Sequence, residues 1–122
     1  MTAIKPSSTI QENKQQLLGL CPVTYLMERI GAYWKPIILY HLFTGDKRYS
    51  ELRRAVPAIT EKVLIQQLKQ LEADGLVTRK ALPVVPPHVS YALTRSGRGL
   101  MPVIEAMAQW SFQEQAGLFK ES

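Results

Sequence analysis

The residues with the clearest chemical potential lie in the middle of the chain, where basic and amide side chains recur at helical spacing. Lys62 and Lys69 can neutralise phosphates or reach the edge of guanine. Gln66 and Gln70 can hydrogen-bond to base edges, with adenine the best match, and Ile65 can contact a thymine methyl group. This set of side chains is typical of a helix that reads the major groove of double-stranded DNA. The alternative is an ordinary amphipathic helix with a solvated polar face.

The hydrophobic pattern predicts the helix that positions these side chains. Leu64, Leu68 and Leu71 recur at i, i+4 and i+7, so that they form one buried stripe. Thr60 is predicted to cap the N-terminus, because its hydroxyl can accept from a free backbone N–H. Gly75 is predicted to supply the left-handed residue that ends the helix after Asp74.

The flanking segments favour the DNA interpretation over the solvated face. Ser50 is predicted to be the N-cap of a short helix that Pro57 stops within two turns. Beyond the second helix, two β-rich runs, Leu76–Leu82 and His88–Leu93, surround a proline-rich tip. Helix, turn, helix and basic hairpin in this order predict a mainly α fold with a small β-wing, the winged helix-turn-helix.

Residues around the reading helix are expected to place the protein on the DNA backbone. Ser50 and Thr60 can contact phosphates as well as cap their helices, and helix N-termini favour an anion. The basic candidates, each of which is equally compatible with a plain surface role, are Arg53 and Arg54 in the first helix and Arg79 and Lys80 in the first wing strand.

Composition is that of a globular chain with an anionic partner. The 122 residues fit one domain, and the formal net charge of +5 favours a negatively charged ligand. Residues 45–80 hold eight of the fifteen basic side chains against five acidic ones. The single cysteine excludes an internal disulfide and indicates a reducing compartment. No apolar run approaches the ~20 residues of a membrane span, and the N-terminus lacks a signal-peptide layout, so we expect a cytoplasmic protein without a membrane partner.

The terminal segments are predicted to be partly helical. Residues 1–20 form a polar tail that ends in a short helix over Ile10–Leu20. Helices are expected to begin near Pro22 and Pro36, because proline suits the first turn. A long C-terminal helix is predicted over residues 94–118, capped by its first residue, Thr94, and kinked near Pro102.

Several phrases of the sequence resemble the HxlR-type winged-helix regulators, bacterial relatives of the MarR group. They are Cys21-Pro22, Gly31-x-x-Trp34-x-x-Ile37-Ile38-Leu39, Tyr49-Ser50-Glu51-Leu52-Arg53-Arg54, Ile59-Thr60-x-Lys62-x-Leu64, Leu68-Lys69-x-Leu71-Glu72-x-Asp74-Gly75-Leu76-Val77-x-Arg79 and Val85-Pro86-Pro87-x-Val89-x-Tyr91-x-Leu93-Thr94-x-x-Gly97-x-x-Leu100-x-Pro102. The resemblance covers roughly residues 21–110, which we predict to be the winged-helix domain. It implies a homodimer built by the N-terminal segment, 1–20, and the C-terminal helix, 94–118. The dimer would present two recognition helices to a palindromic operator.

The chain departs from the family pattern at positions that face the expected ligand. Ile65 stands where threonine is usual, His88 where arginine is common after the two prolines, and Ser90 where glutamate is common. The resemblance implies that His88 contacts DNA, but more weakly than the arginine that is common at this position. These departures affect the operator sequence rather than the fold.

Cys21 is the one side chain that could carry covalent chemistry. It precedes Pro22 at a predicted helix start, where free N–H groups can lower a thiol pKa and favour the reactive thiolate. The resemblance implies that a cysteine at this position can sense oxidants or electrophiles. With one cysteine per chain, switching requires an inter-subunit disulfide, a mixed disulfide or an adduct. The alternative is a small apolar residue buried under the dimer helices.

These observations predict a DNA-binding transcriptional regulator, a repressor, that needs no metal or cofactor and is not an enzyme. His41 and His88 show no metal-ligand spacing, and no phosphate loop or nucleophile elbow is present. A cavity between the dimer helices could admit a small aromatic effector. The main alternative is a winged-helix module that binds another protein. A protein-binding module would need an exposed apolar patch. The exposed face of Thr60–Asp74 is instead polar and basic, which argues against this alternative.

Overall fold

The computed structural model describes residues 21–86 and 88–121, so the predicted helix over Ile10–Leu20 lies outside the described residues. In chain order the elements are α1 (Pro22–Ile30), α2 (Trp34–Leu42), β1 (Lys47–Arg48), α3 (Tyr49–Ala55), α4 (Glu61–Ala73), β2 (Val77–Leu82), β3 (His88–Leu93), α5 (Arg95–Arg98) and α6 (Met101–Gln115). The chain divides into two compact units between Tyr33 and Trp34. Within the described ranges, no helix is long and apolar enough to cross a membrane.

Helix α1, in the first unit, begins where the sequence predicts. Cys21 is its extended N-cap residue, and Pro22 occupies the first turn, where a missing N–H costs nothing. At the other end, the Gly31 N–H donates to the carbonyl of Met27 at 2.8 Å. The Arg29 guanidinium lies 3.4 Å from the centroid of the Tyr25 ring, one turn earlier on the helix.

The core of the second unit forms around the predicted leucine stripe of α4. Leu64, Leu68 and Leu71 are all buried, which confirms the stripe, and Ile38 and Leu39 of α2 are buried as well. Burial of each such side chain contributes about 1.5–3 kcal/mol. Because α4 commits this face to the core, its remaining faces are left for a ligand.

Both ends of α4 have the predicted caps. The Thr60 hydroxyl accepts from the Val63 N–H at 3.2 Å. Gly75 has φ +75°, the left-handed conformation that glycine adopts without steric cost, and the Leu76 N–H then donates to the Leu71 carbonyl at 3.0 Å.

The prediction that Ser50 caps the short helix is wrong. Helix α3 begins at Tyr49, and Arg48 holds the cap position, where its N–H donates to the Glu51 carboxylate at 2.7 Å. The reason is a two-residue strand that the sequence did not predict. Strand β1 keeps the backbone extended through Arg48, which pairs with Ser90, so the helix starts directly after it.

The predicted wing is confirmed as an antiparallel hairpin. Strands β2 and β3 pair along their full length, from Val77 opposite Leu93 to Leu82 opposite His88. β1 joins the other edge of β3, giving the strand order β1-β3-β2. The sheet therefore places the base of the wing beside the start of α3.

The predicted continuous C-terminal helix is wrong, because the structure has two helices there. Thr94 caps α5, accepting from the Gly97 N–H at 3.0 Å, and α5 ends after Arg98. Helix α6 then begins at Met101, with Pro102 in its first turn instead of at a kink. Proline is accommodated there because first-turn N–H groups have no partner within the helix.

Candidate nucleic-acid interface

The exposed surface of α4 divides into two stripes, each following the four-residue spacing of a helix face. Lys62, Gln66 and Gln70 form the outer stripe, and all three are exposed. Ile65 and Lys69, also exposed, form the second stripe, which faces the wing. The residues predicted to read bases therefore lie on two stripes: the outer stripe is fully polar, and the second stripe faces the wing.

A groove with a volume of about 660 Å³ separates the second stripe from the wing. On the α4 side the groove is lined by Glu61, Ile65, Lys69 and Glu72. The opposite side is lined by residues of β1, α3 and the wing, namely Arg48, Tyr49, Ser50, Arg79, His88, Val89 and Tyr91.

The groove brings together five of the predicted site residues from four separate elements: Ser50, Ile65, Lys69, Arg79 and His88. Other predicted residues lie elsewhere on the same unit. Thr60 is occupied with capping α4, Arg53 is half-buried on α3, and Lys80 is exposed on β2 opposite Ser90.

The charges around the groove are mixed, and two of its three cations come from predicted residues. Lys69 and Arg79 were expected, whereas Arg48 was not. Glu61 and Glu72 oppose them on the α4 side. Cations attract a phosphate strand and nearby carboxylates repel it, so this arrangement can hold an anionic strand on the side of Arg48 and Arg79. Among the described residues, no cluster of three His, Cys, Asp or Glu side chains could hold a metal ion.

Tyr49 is a groove residue that sequence reasoning missed as a candidate. Its hydroxyl oxygen is buried and has no hydrogen-bond partner within the described part of the chain. Burial raises the pKa of Tyr49, while the neighbouring Arg53 acts to lower it and Glu61 to raise it. The phenol therefore stays protonated near neutral pH, and its buried hydroxyl lies close to the side chains of Arg53 and Glu61. In the sequence, only its position in the phrase Tyr49-Ser50-Glu51 could have indicated that Tyr49 belongs to the site.

Cys21 lies in the first unit, at the N-cap of α1, and is partly exposed. Its thiol accepts no capping hydrogen bond, yet its surroundings favour the thiolate. The Thr24 side chain, followed by the backbone amides of Thr24 and Val23, lowers the pKa of the Cys21 thiol. The Thr24 side chain, which the sequence did not suggest, is thus the largest cause of the lowered pKa, and the backbone N–H groups at the helix start come second.

Comparison with known proteins identifies the family to which this arrangement of two helices and a wing belongs. The HxlR-like helix-turn-helix family matches the chain over residues 29–116, which include α2 to α6. The chain belongs to this family. The chain is also similar to the HTH-type transcriptional regulator YybR of Bacillus subtilis (strain 168). YybR is 47% identical over 90 residues, which are 74% of this chain and 72% of YybR.

Solved structures support the same assignment. The reduced form of the redox regulator HypR is 42% identical, with a TM-score of 0.76, over 83% of this chain and 100% of HypR. The reduced form of the transcriptional regulator YodB from B. subtilis is 35% identical, with a TM-score of 0.67, over 76% of this chain and 92% of YodB. This HxlR-family chain is therefore a winged-helix transcriptional regulator, and it is not an enzyme.

Proposed function

We propose that this HxlR-family regulator acts in the cytoplasm as a homodimer that binds a palindromic operator and represses transcription. The observation that carries the proposal is the pairing of an exposed polar stripe on α4 with a groove beside the wing whose wing side carries Arg48 and Arg79. A major groove of duplex DNA takes an α-helix, and the adjacent backbone then lies against the wing.

The outer stripe of α4 is suited to direct base reading. Lys62, Gln66 and Gln70 are exposed and make no hydrogen bonds that would restrict them within the described structure. Lysine can donate to guanine O6 and N7, and glutamine matches adenine N6 and N7. The more C-terminal position of Gln70 places it at the edge of this surface.

The groove is suited to hold the sugar–phosphate strand. Arg48, Lys69 and Arg79 supply positive charge, and the exposed Ser50 supplies a hydroxyl donor. Such contacts give affinity and register without sequence information, because every nucleotide carries the same phosphate. The carboxylates of Glu61 and Glu72 favour placing the strand on the side of Arg48 and Arg79. His88 adds a further side chain to the lining of this groove.

An apolar stripe on α6 supports the homodimer. Val103, Met107 and Trp110 recur at i, i+4 and i+7 and are exposed, with 57% of the Trp110 surface accessible. A second copy can cover this stripe by two-fold symmetry, as is usual for soluble dimers. The expected contribution of residues 1–20 lies outside the described residues. Two-fold symmetry would place the recognition helices about 34 Å, one DNA turn, apart.

Oxidation of Cys21 is the regulatory signal that the thiol environment supports. HypR is known in oxidised and reduced forms, and YodB in a reduced and a diamide-treated form. In this chain two Cys21 thiols, one from each subunit, would give two electrons and two protons to an oxidant such as diamide and form an S–S bond. The change in the dimer would alter the spacing of the two α4 helices.

The reading surface is tested with the double variant Lys62→Ala/Gln66→Ala. The probe is a duplex that the wild-type protein selects from a random-sequence pool. We expect affinity to fall by tenfold or more, since each base contact contributes about 1–3 kcal/mol of discrimination. The matched control Lys120→Ala/Gln109→Ala removes the same side-chain types from exposed positions beyond α4 and is expected to bind normally.

Salt dependence separates the two kinds of DNA contact. The slope of log affinity against log salt should fall by about 0.9 for each phosphate contact that is removed, so Arg79→Ala lowers it. Gln66→Ala alone should leave the slope unchanged and relax the base preference. Unchanged selection by the double variant would show that α4 does not read the operator.

A further inference from the structure

The tip of the wing carries an apolar run that phosphate binding does not explain. Between Lys80 and His88, residues 81–86 have no charged or hydrogen-bonding side chain. Three of them present large apolar surface, since 43% of Leu82, 49% of Val84 and 99% of Val85 is accessible. A wing that only neutralised the backbone would carry basic or hydroxyl side chains here.

The apolar tip is held away from the core. Strand pairing extends to the end of the hairpin, where Leu82 lies opposite His88. The Val84 N–H then donates to the Leu82 carbonyl at 2.8 Å, which closes a tight turn around Pro83. The fixed φ of proline further restricts the turn. The two valines are therefore presented to the exterior on a restrained backbone.

The wing has the length to carry this tip to the neighbouring minor groove. Arg79 on β2 and His88, which belongs to the last pair before the tip, both line the groove beside α4, so the groove follows the hairpin to that last pair. Five residues at about 3.3 Å each allow a reach of up to about 16 Å from Arg79 to Val84. Half a turn of DNA is about 17 Å, so the next minor groove lies at this distance when α4 occupies the major groove.

We infer that Val84 and Val85 form an apolar wedge that enters this minor groove, partly unstacks a base step and bends the operator. The inference rests on the proposed function, because α4 must first place the wing on duplex DNA. Apolar wedges such as isoleucine, leucine and proline side chains act in minor-groove architectural proteins, and valine is an apolar side chain one methylene smaller than isoleucine. The wedge favours pyrimidine–purine steps beneath the tip, because these steps unstack most easily.

The experiment compares the wild-type protein, Val84→Ser/Val85→Ser and Lys80→Ala on one 40-base-pair duplex selected by the wild-type protein. End-to-end energy transfer reports the bend, and a salt titration reports phosphate contacts. We expect the wild-type protein to bend the duplex by about 20° or more. The double serine variant should lose most of the bend and bind about tenfold more weakly, with an unchanged salt slope.

Lys80→Ala is the matched control on the same hairpin. It should keep the bend and lower the salt slope by about 0.9, the value for one phosphate contact. Equal thermal unfolding of all three proteins would show that the exposed substitutions leave the fold intact. A straight duplex with the wild-type protein, or an equal bend with the double serine variant, would overturn the wedge.

Two other results separate this inference from its alternatives. If the double serine variant bound and bent DNA normally but lost binding to RNA polymerase, the tip would be a protein-docking surface and the wedge would be overturned. If the wild-type protein selected no duplex from the pool, the proposed function itself would fail. The bend is therefore interpreted only on a duplex whose binding has been measured.

Discussion

Single residues in this chain differ in how much of their role depends on neighbours. The reading role proposed for Lys62 and Gln66 needs only an exposed helix face, so residue type and spacing are enough to propose them as candidates. Tyr49 depends on its surroundings, because its unpaired hydroxyl becomes significant only when the groove buries it. Cys21 lies between these cases. Its helix-start position is visible in sequence, whereas the effect of Thr24 on its pKa required the folded turn.

The lowered pKa of Cys21 predicts a shifted pH dependence of its alkylation. The thiolate is the nucleophile, so a lowered pKa moves the rise in reactivity to lower pH. The rate of iodoacetamide labelling should therefore reach half of its maximum at a lower pH than for a denatured sample of the same protein. Because Cys21 is the single cysteine, no other thiol contributes to the signal.

Thr24→Val tests the cause of this shift. The variant keeps the shape of the side chain but removes the hydroxyl, so the midpoint should move toward that of the denatured protein. Val23→Thr, a matched change at the neighbouring exposed position, should leave the midpoint nearly unchanged. Identical profiles for the native and denatured wild-type protein would contradict the prediction.

Secondary-structure elements show where local signals suffice and where a tertiary contact intervenes. The leucine stripe, Thr60 cap and left-handed Gly75 place α4 correctly, because each acts within a few residues. The observed start of α3 differs from the predicted one because β1 pairs with β3, a strand distant in sequence. The C-terminal segment divides after α5, whose cap residue Thr94 also donates through its hydroxyl to the Gly75 carbonyl at 2.6 Å.

Gly97 of α5 is predicted to be essential for this junction. A Cβ at position 97 would collide with the backbone carbonyl of Leu76, which cannot move without disturbing the start of the wing. Gly97→Ala should therefore lower the free energy of unfolding by about 1–3 kcal/mol, the usual cost of overpacking. Urea denaturation at a fixed protein concentration measures this change.

Gly99→Ala provides the control for that experiment. Gly99 has a right-handed helical conformation, and its nearest neighbour to an added Cβ, the Ser96 carbonyl, lies at 3.2 Å. Its substitution should change the free energy of unfolding much less than Gly97→Ala does. Equal effects at the two positions would show that the contact with Leu76 does not limit the junction.

At the scale of the whole molecule, the α6 stripe makes assembly part of the proposed function. One recognition helix would contact only half of the proposed palindromic operator, so the proposed dimer would supply the second half and the spacing. The family match over residues 29–116 includes all of α6. The boundaries at residues 21 and 110 and the dimer role of residues 94–118 stay predictions.

Trp110→Glu is predicted to shift the protein from dimer to monomer. It places a charge in the apolar stripe, and burying an unpaired carboxylate against a second copy is strongly unfavourable. Sedimentation velocity should show the lower mass, and affinity for the full palindrome should fall well below that of the wild-type protein. Gln109→Glu adds the same charge at the adjacent exposed residue and should remain dimeric. A dimeric Trp110→Glu variant would exclude this stripe as the interface.

The sequence by itself determined the order of helix, turn, helix and wing, the buried face of α4 and the residues on its outer stripe. These features depend on periodicity, capping and turn chemistry, which act between residues close together in the chain. The existence of the groove and the residues that line it became visible only in the tertiary structure. The walls of the groove join β1 and α3 to α4 and the wing, and the pairing of Lys47 with Tyr91 that brings them together leaves no local pattern. A two-residue strand is too short to show periodicity, so its partner has to be present before its effect can be seen.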